Sequence, residues 1–127
     1  MQVDSRFCHY NINVLDIVRS MEFYEKALGL REARRKDSDD GSYTIVYLGD
    51  GKTGFTLELT WLRDWAEPYK LGDNEQHLCV RVTNDYAQTH EYHREMGCVC
   101  YENHDMGLYF IVDPDGYWIE VLPEKYQ

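Results

Sequence analysis

Two histidines and two glutamates stand where their side chains can act together. His9 leads a stretch, Phe7 to Leu15, in which Cys8, Tyr10, Ile12 and Val14 alternate with His9, Asn11 and Asn13. A period of two predicts a strand with an apolar back and a polar front that carries an imidazole. Glu58 lies in the middle of a second alternating stretch, Gly54 to Trp61, between the apolar Phe55, Leu57, Leu59 and Trp61. His77 opens a third, His77 to Val82, and Glu120 sits within Tyr117 to Leu122, a strand that is largely apolar on both faces. A carboxylate in such surroundings is costly unless it is neutralised, paired or bound to a metal. Two imidazole nitrogens and two carboxylates form a donor set that suits a divalent first-row ion (Ni, Co, Fe, Mn or Zn), with positions left for water or substrate. The ion would supply the positive charge that the two acids need.

These four residues need a scaffold, and the sequence predicts the same scaffold twice. After the first strand Asp16 starts a helix, with Ile17, Met21, Tyr24 and Leu28 at helical spacing and Gly29 as the stop. Leu30 to Ala33 opens a strand, Lys36 to Gly41 reads as a charged loop, and Tyr43 to Leu48 is a further strand. Gly49-Asp50-Gly51 is a hairpin turn leading to the Glu58 strand. Arg63 to Asn74, polar and containing Pro68 and Gly72, reads as a linker. The second copy follows: a helix from about Asn84 to Met96 closed by Gly97, a short strand Cys98 to Glu102, a turn Asn103 to Gly107, and a strand Leu108 to Val112. The Asp113-Pro114-Asp115-Gly116 turn then feeds the Glu120 strand, with Pro114 presetting φ and Gly116 supplying a positive one.

The spacings agree. His9 to Gly29 and His77 to Gly97 are both 20 residues; His9 to Glu58 is 49 and His77 to Glu120 is 43, so one short indel separates the copies. The expected class is α+β: two βαβββ modules, 7–62 and 75–123, joined by linker 63–74 within one domain over 1–127, their curved mixed sheet lining a cavity. Halves of this size are marginal alone, so they should pack together or against another chain. His90 and His93, three apart on the second helix, read as a solvated or interfacial face, and His104 as part of a polar turn.

Composition narrows the partners. Thirteen basic residues against 23 acidic ones give a net charge of -10, which disfavours a nucleic-acid or anionic-membrane surface. No apolar run approaches the ~20 residues of a membrane span. Met1 to Arg6 is too polar for a signal peptide, so a cytoplasmic address is expected. Cys8, Cys79, Cys98 and Cys100 form no Cys-x-x-Cys pair and are expected to be reduced and half-buried.

With His9, Phe23-Tyr24-Glu25-Lys26-Ala27-Leu28-Gly29-Leu30, Leu57-Glu58-Leu59-Thr60, His77 and Asp113-Pro114-Asp115-Gly116-Tyr117-Trp118-Ile119-Glu120, essentially the whole chain resembles the vicinal oxygen chelate superfamily, and within it the glyoxalase I (lactoylglutathione lyase) family. The resemblance implies a metalloenzyme, a carbon–sulfur lyase that isomerises the hemithioacetal of methylglyoxal and a thiol to the lactoyl thioester through an enediolate. It makes His9, Glu58, His77 and Glu120 the metal ligands and Glu120 and Glu58 the proton shuttles, with Glu120 the principal base. It favours nickel or cobalt over zinc, manganese or iron, and implies a homodimer with the site at the subunit interface. Many glutathione-using members carry an Arg four residues after the first His and an Asn four residues after the first Glu; here those positions are Asn13 and Leu62, beside which Arg63 or Lys70 offers a replacement charge. Other superfamily chemistries (an epimerase, a thiol transferase, a dioxygenase) and a non-catalytic small-molecule binding or resistance protein stay open as alternatives.

Overall fold

The computed structural model describes residues 1–125, and the chain divides into two compact units, Met1–Tyr69 and Lys70–Gln127. In the first unit, β1 (His9–Val14) leads into α1 (Ile17–Leu28), followed by β2 (Arg31–Asp37), β3 (Tyr43–Gly49) and β4 (Thr56–Leu62). In the second, β5 (Leu78–Val82), α2 (Tyr86–Met96), β6 (Val99–Asn103), β7 (Leu108–Val112) and β8 (Trp118–Pro123) repeat that order. Each unit is thus βαβββ, and each forms a four-stranded sheet, ordered β1-β4-β3-β2 and β5-β8-β7-β6. First and last strands of a unit pair in parallel, and the remaining pairs are antiparallel.

Local chemistry explains the helices. The Asp16 carboxylate accepts from the Arg19 amide at 3.1 Å, and that of Asp85 accepts from the Gln88 amide at 2.9 Å, so each helix begins on an aspartate cap. Gly29 and Gly97 end them in the left-handed region, at φ 69° and 74°, where a side chain would be strained. One face of each sheet is buried. Ile12, Val14, Val46, Leu48, Leu57 and Leu59 are buried on it, as are Tyr24 and Ala27 of α1; in the second unit Val82, Tyr109, Ile111, Ile119 and Val121 form the same layer. By strand alternation the opposite face carries His9, Asn11, Tyr47 and Glu58 in one unit, and Cys79, Phe110 and Glu120 in the other.

Several expectations are corrected. The segment expected to be a charged loop from Lys36 is strand as far as Asp37: β2 is an exposed edge strand with no apolar period to betray it, held by its ladder to β3. Gly49 belongs to β3. The connection to β4 runs from Asp50 to Phe55, organised by the Asp50 carboxylate, which accepts from the amides of Lys52 and Thr53 and from the Thr53 hydroxyl. β1 starts at His9, leaving Phe7 and Cys8 exposed, and His77 stands one residue ahead of β5. The cysteines are free, yet only Cys100 is half-buried: Cys8 and Cys79 are exposed and Cys98 is buried. The histidine face of α2 is not solvated. His93 is fully buried, its Nδ1 2.8 Å from the Tyr109 hydroxyl, and His90 stacks on the Tyr109 ring at 3.9 Å while pairing with Glu102 at 2.8 Å.

Candidate metal and proton-transfer site

The parallel pairing of first and last strands brings each histidine to its glutamate. Asn11 lies across the β1–β4 ladder from Glu58, so His9, two residues earlier, shares the glutamate's face. Its Nε2 is 3.5 Å from Glu58 Oε1. In the second unit Cys79 lies across from Glu120, and His77 Nε2 is 3.2 Å from Glu120 Oε1. The His77 ring is oriented from behind, with Nδ1 3.1 Å from the Glu75 carbonyl, which leaves Nε2 toward the carboxylate. The histidine side chains are 37% and 36% exposed and the glutamates 13% and 19%, so both pairs are open on one side.

This geometry passes a simple test for metal binding. Two ligands at about 2.1 Å from one ion, at octahedral or tetrahedral angles, have donor atoms about 3.0–3.4 Å apart. Both His–Glu separations fall at or near that range without any strand moving. Each unit offers a pair and not a full cage: among the described residues no three His, Cys, Asp or Glu side chains gather as a metal-binding group.

Residues missed in the sequence surround the pairs. Tyr47 of β3 lies directly across from Glu58. Its phenol is pushed above its ordinary value, chiefly by the Glu58 carboxylate across the ladder. The Arg34 guanidinium sits over the Tyr47 ring at 3.7 Å, and the His9 ring meets it edge-on at 5.8 Å. Asn11 is turned aside: its Oδ1 accepts from Thr60 at 2.6 Å and its Nδ2 donates to Asn13 at 2.8 Å. In the second unit Phe110 takes Tyr47's place opposite Glu120 and packs with His77, Tyr101 and Trp118. The Cys79 thiol is raised to about 11, first by burial and then by the charge of Glu120. The alternation of β3 and β7 carried the signal for Tyr47 and Phe110; their pairing register did not show in the sequence.

The residues proposed to recognise the thiol fall differently. Asn13 faces the same way as Glu58 and is engaged with Asn11. Leu62 ends β4 opposite Tyr43. Arg63 is exposed and already paired, with the Asp64 carboxylate at 3.2 Å and the Asp40 carbonyl at 2.9 Å, so it is not a spare cation. Lys70 is exposed at the start of the second unit.

Repeated βαβββ units with a matched His–Glu pair in each define the class, and comparison with known proteins agrees. Residues 6–121 match the Glyoxalase/Bleomycin resistance protein/Dioxygenase superfamily, and the chain belongs to that superfamily and, within it, to the glyoxalase I family of lyases. A lactoylglutathione lyase of Neisseria meningitidis serogroup A is 32% identical over 126 residues, covering 94% of this chain and 91% of the relative; one from Escherichia coli O157:H7 is 30% identical over 128 residues, covering 94% and 93%. Among solved structures, the trypanothione-dependent glyoxalase I of Leishmania major superposes with a TM-score of 0.83 at 33% identity, covering 96% of this chain and 88% of that one. The chain is an enzyme of the lyase type. No helix among the described residues is long and apolar enough to cross a membrane.

Proposed function

We propose that this enzyme is a divalent-metal-dependent glyoxalase I-type isomerase that converts the hemithioacetal of methylglyoxal and a thiol into the lactoyl thioester, a detoxifying reaction. The observation that supports it most is the doubled pair, with His Nε2 facing Glu Oε1 at 3.5 Å and 3.2 Å across equivalent parallel ladders. His9, Glu58, His77 and Glu120 are the ligand set, with nickel or cobalt as the favoured ion. When bound, the ion acts as a Lewis acid on the vicinal oxygens of the substrate.

The protein's own work is to move one proton between adjacent carbons. Glu120 is the principal base: it takes the proton next to the carbonyl, holds it, and returns it to the neighbouring carbon. Glu58 serves the opposite face of the substrate, and His9 and His77 are ligands throughout. A half-open carboxylate held by one neighbour suits this role, since it must reach the substrate carbon and come back. We further propose that the enzyme is a cytoplasmic homodimer with the site at the subunit interface.

Asn13 and Leu62 favour a thiol other than glutathione, because neither supplies the charge or amide that glutathione-using relatives carry there. The test is metal reconstitution with a panel of thiols. Protein loaded with Ni(II) or Co(II) should form an ultraviolet-absorbing thioester from methylglyoxal plus at least one thiol. Absence of turnover with every metal and thiol would remove the isomerase reading and favour another superfamily reaction or a binding role.

A further inference from the structure

In a chain of net charge -10, the seven residues of β2 hold Arg31, Arg34, Arg35 and Lys36, and the ladder to β3 sorts them by face. Arg31, Arg34 and Lys36 lie opposite Gly49, Tyr47 and Ile45, alternate positions that share a face with Glu58. Glu32, Arg35 and Asp37 lie opposite Leu48, Val46 and Thr44, on the other face. There Arg35 meets Glu32 at 2.8 Å and the Met21 sulfur of α1 at 3.6 Å, and Asp37 accepts from the Thr44 hydroxyl at 2.6 Å. Both acids of the strand thus stand behind it, and three cations stand in front. Among the described residues no carboxylate forms an ion pair with any of the three. An exposed edge strand needs charge to discourage pairing with another chain, but either sign on either face would serve. Nor does the scaffold ask for cations. In the matching strand β6, Tyr101 opposite Phe110 and Asn103 opposite Leu108 hold the places of Arg34 and Lys36, and both are uncharged.

We propose that Arg31, Arg34 and Lys36 form an anion-binding rim of the candidate site, which takes a carboxylate or phosphate carried by the substrate adduct. The inference rests on the isomerase reading above and adds to it the charge of the substrate. Arg34 is the preset member. Its guanidinium lies 3.7 Å from the centroid of the Tyr47 ring, which holds its face and leaves its in-plane N–H groups for a two-pronged grip on an oxyanion. Arg31 and Lys36 flank it along the strand as further cations. In the sheet order β1-β4-β3-β2, a strand spacing of about 4.8 Å puts the row about 10 Å from the strand of Glu58 and about 14 Å from that of Asn13. The rim is therefore a different place from the first-strand position at which glutathione-using relatives carry an arginine. Because Arg34 already leans over β3, a chain of a few bonds connects it to a reacting carbon beside Glu58. Either half of the adduct, the thiol or the oxoaldehyde, can carry the anion, and the test separates them.

The test sets carboxylates against amides of the same shape, on the full-length enzyme loaded with Ni(II) or Co(II). One arm varies the thiol, β-mercaptopropionate against β-mercaptopropionamide, each with methylglyoxal. The other varies the aldehyde, γ,δ-dioxovalerate against its amide, each with mercaptoethanol. In one arm kcat/KM should favour the carboxylate about tenfold, through KM, and that arm names the half that carries the anion. Arg34→Gln should cut the preference several-fold, and Arg34→Gln/Lys36→Gln should abolish it; reading a ratio cancels any general loss of activity. Equal kcat/KM for acid and amide in both arms, or a preference that survives in the double variant, overturns the inference and leaves the isomerase reading standing. Isothermal titration with levulinate and with S-methyl-β-mercaptopropionate, each against its amide, needs no turnover. Tighter binding of a carboxylate that is lost in the double variant, without turnover of any adduct, defeats the isomerase reading and keeps the rim. Neither turnover nor a charge preference in binding defeats both.

Discussion

Cys79 lies directly across the parallel β5–β8 ladder from Glu120, and its thiol, which donates to the Val80 carbonyl at 4.0 Å, is raised to about 11. Burial does most of this and the glutamate's charge the rest, since each disfavours a thiolate. At neutral pH Cys79 is therefore a thiol, although it is exposed. In the metal-free protein, iodoacetamide near pH 8 should label Cys8, also exposed, well before Cys79. Peptide mapping of partly alkylated protein gives the order, and Cys79 labelling first would contradict the assignment.

Removal of the carboxylates separates ligand from base. Glu120→Gln should lower kcat by about 100- to 10,000-fold, the span of a positioned general base. Glu58→Gln should cost more in metal retention than in the turnover that remains once metal is in excess. Metal analysis beside steady-state rates distinguishes them; equal losses in both variants would mean the two acids share the proton transfer evenly.

The buried His93–Tyr109 bond supports α2 against its sheet. Tyr109→Phe takes the hydroxyl from His93 Nδ1 where both residues are fully buried, and should destabilise the fold by about 1–3 kcal/mol. Urea unfolding should show an earlier midpoint with an unchanged slope. A midpoint equal to wild type would mean that the ring nitrogen finds another partner.

Glu102 gives a pH signature with a definite sign. Desolvation alone would raise its carboxyl, but hydrogen bonds from His90 and Arg94 outweigh that and hold it below the ordinary 4.5. A carboxyl lowered in the folded state contributes stability above its unfolded value and loses it as pH falls through the folded one. Glu102→Gln should therefore make the acid-side decline in thermal stability, below about pH 4.5, shallower than in wild type. A parallel decline in both proteins would remove Glu102 as a contributor.

The thiol preference can be moved by one residue. Asn13→Arg restores a guanidinium where glutathione-using relatives have one, and should lower KM for the glutathione adduct several-fold with kcat nearly unchanged, as expected for added uniform binding. Steady-state kinetics with glutathione and with a thiol that lacks its carboxylates provide the comparison; a KM that falls equally for both would point to a non-specific charge effect.

The repeat, both helices, the first helix's aspartate cap and the glycine stops of both, and the strands that carry each His and Glu were legible in the sequence because each rests on a local signal: period-two alternation around His9 and Glu58, Asp16 before a helical stripe, Gly29 and Gly97 after one; the start of the second helix was set at Asn84, one residue ahead of its Asp85 cap. Tyr47 was not legible, for a reason that can be stated. A turn centred on Asp50 would pair Glu58 with Ser42, whereas the six residues from Asp50 to Phe55 pair it with Tyr47. Register is a property of two strands and the loop between them, and the Asp50 hydrogen bonds that set that loop leave little trace in the sequence pattern. His93 misled in the opposite way. A polar residue on a helix reads as surface until the tyrosine that satisfies it, sixteen residues away in β7, is known.

The parallel pairing that unites each histidine with its glutamate joins the two ends of a module, with the helix and the antiparallel hairpins lying between them in the chain. Contacts between distant segments carry the greatest loop-closure entropy and are the slowest to form. In each half the His–Glu pair is thus expected to assemble late, after the intervening elements have found their places. A nascent or half-folded chain has the histidine and the glutamate but not the pair: the 3.5 Å and 3.2 Å approaches belong to the finished fold alone.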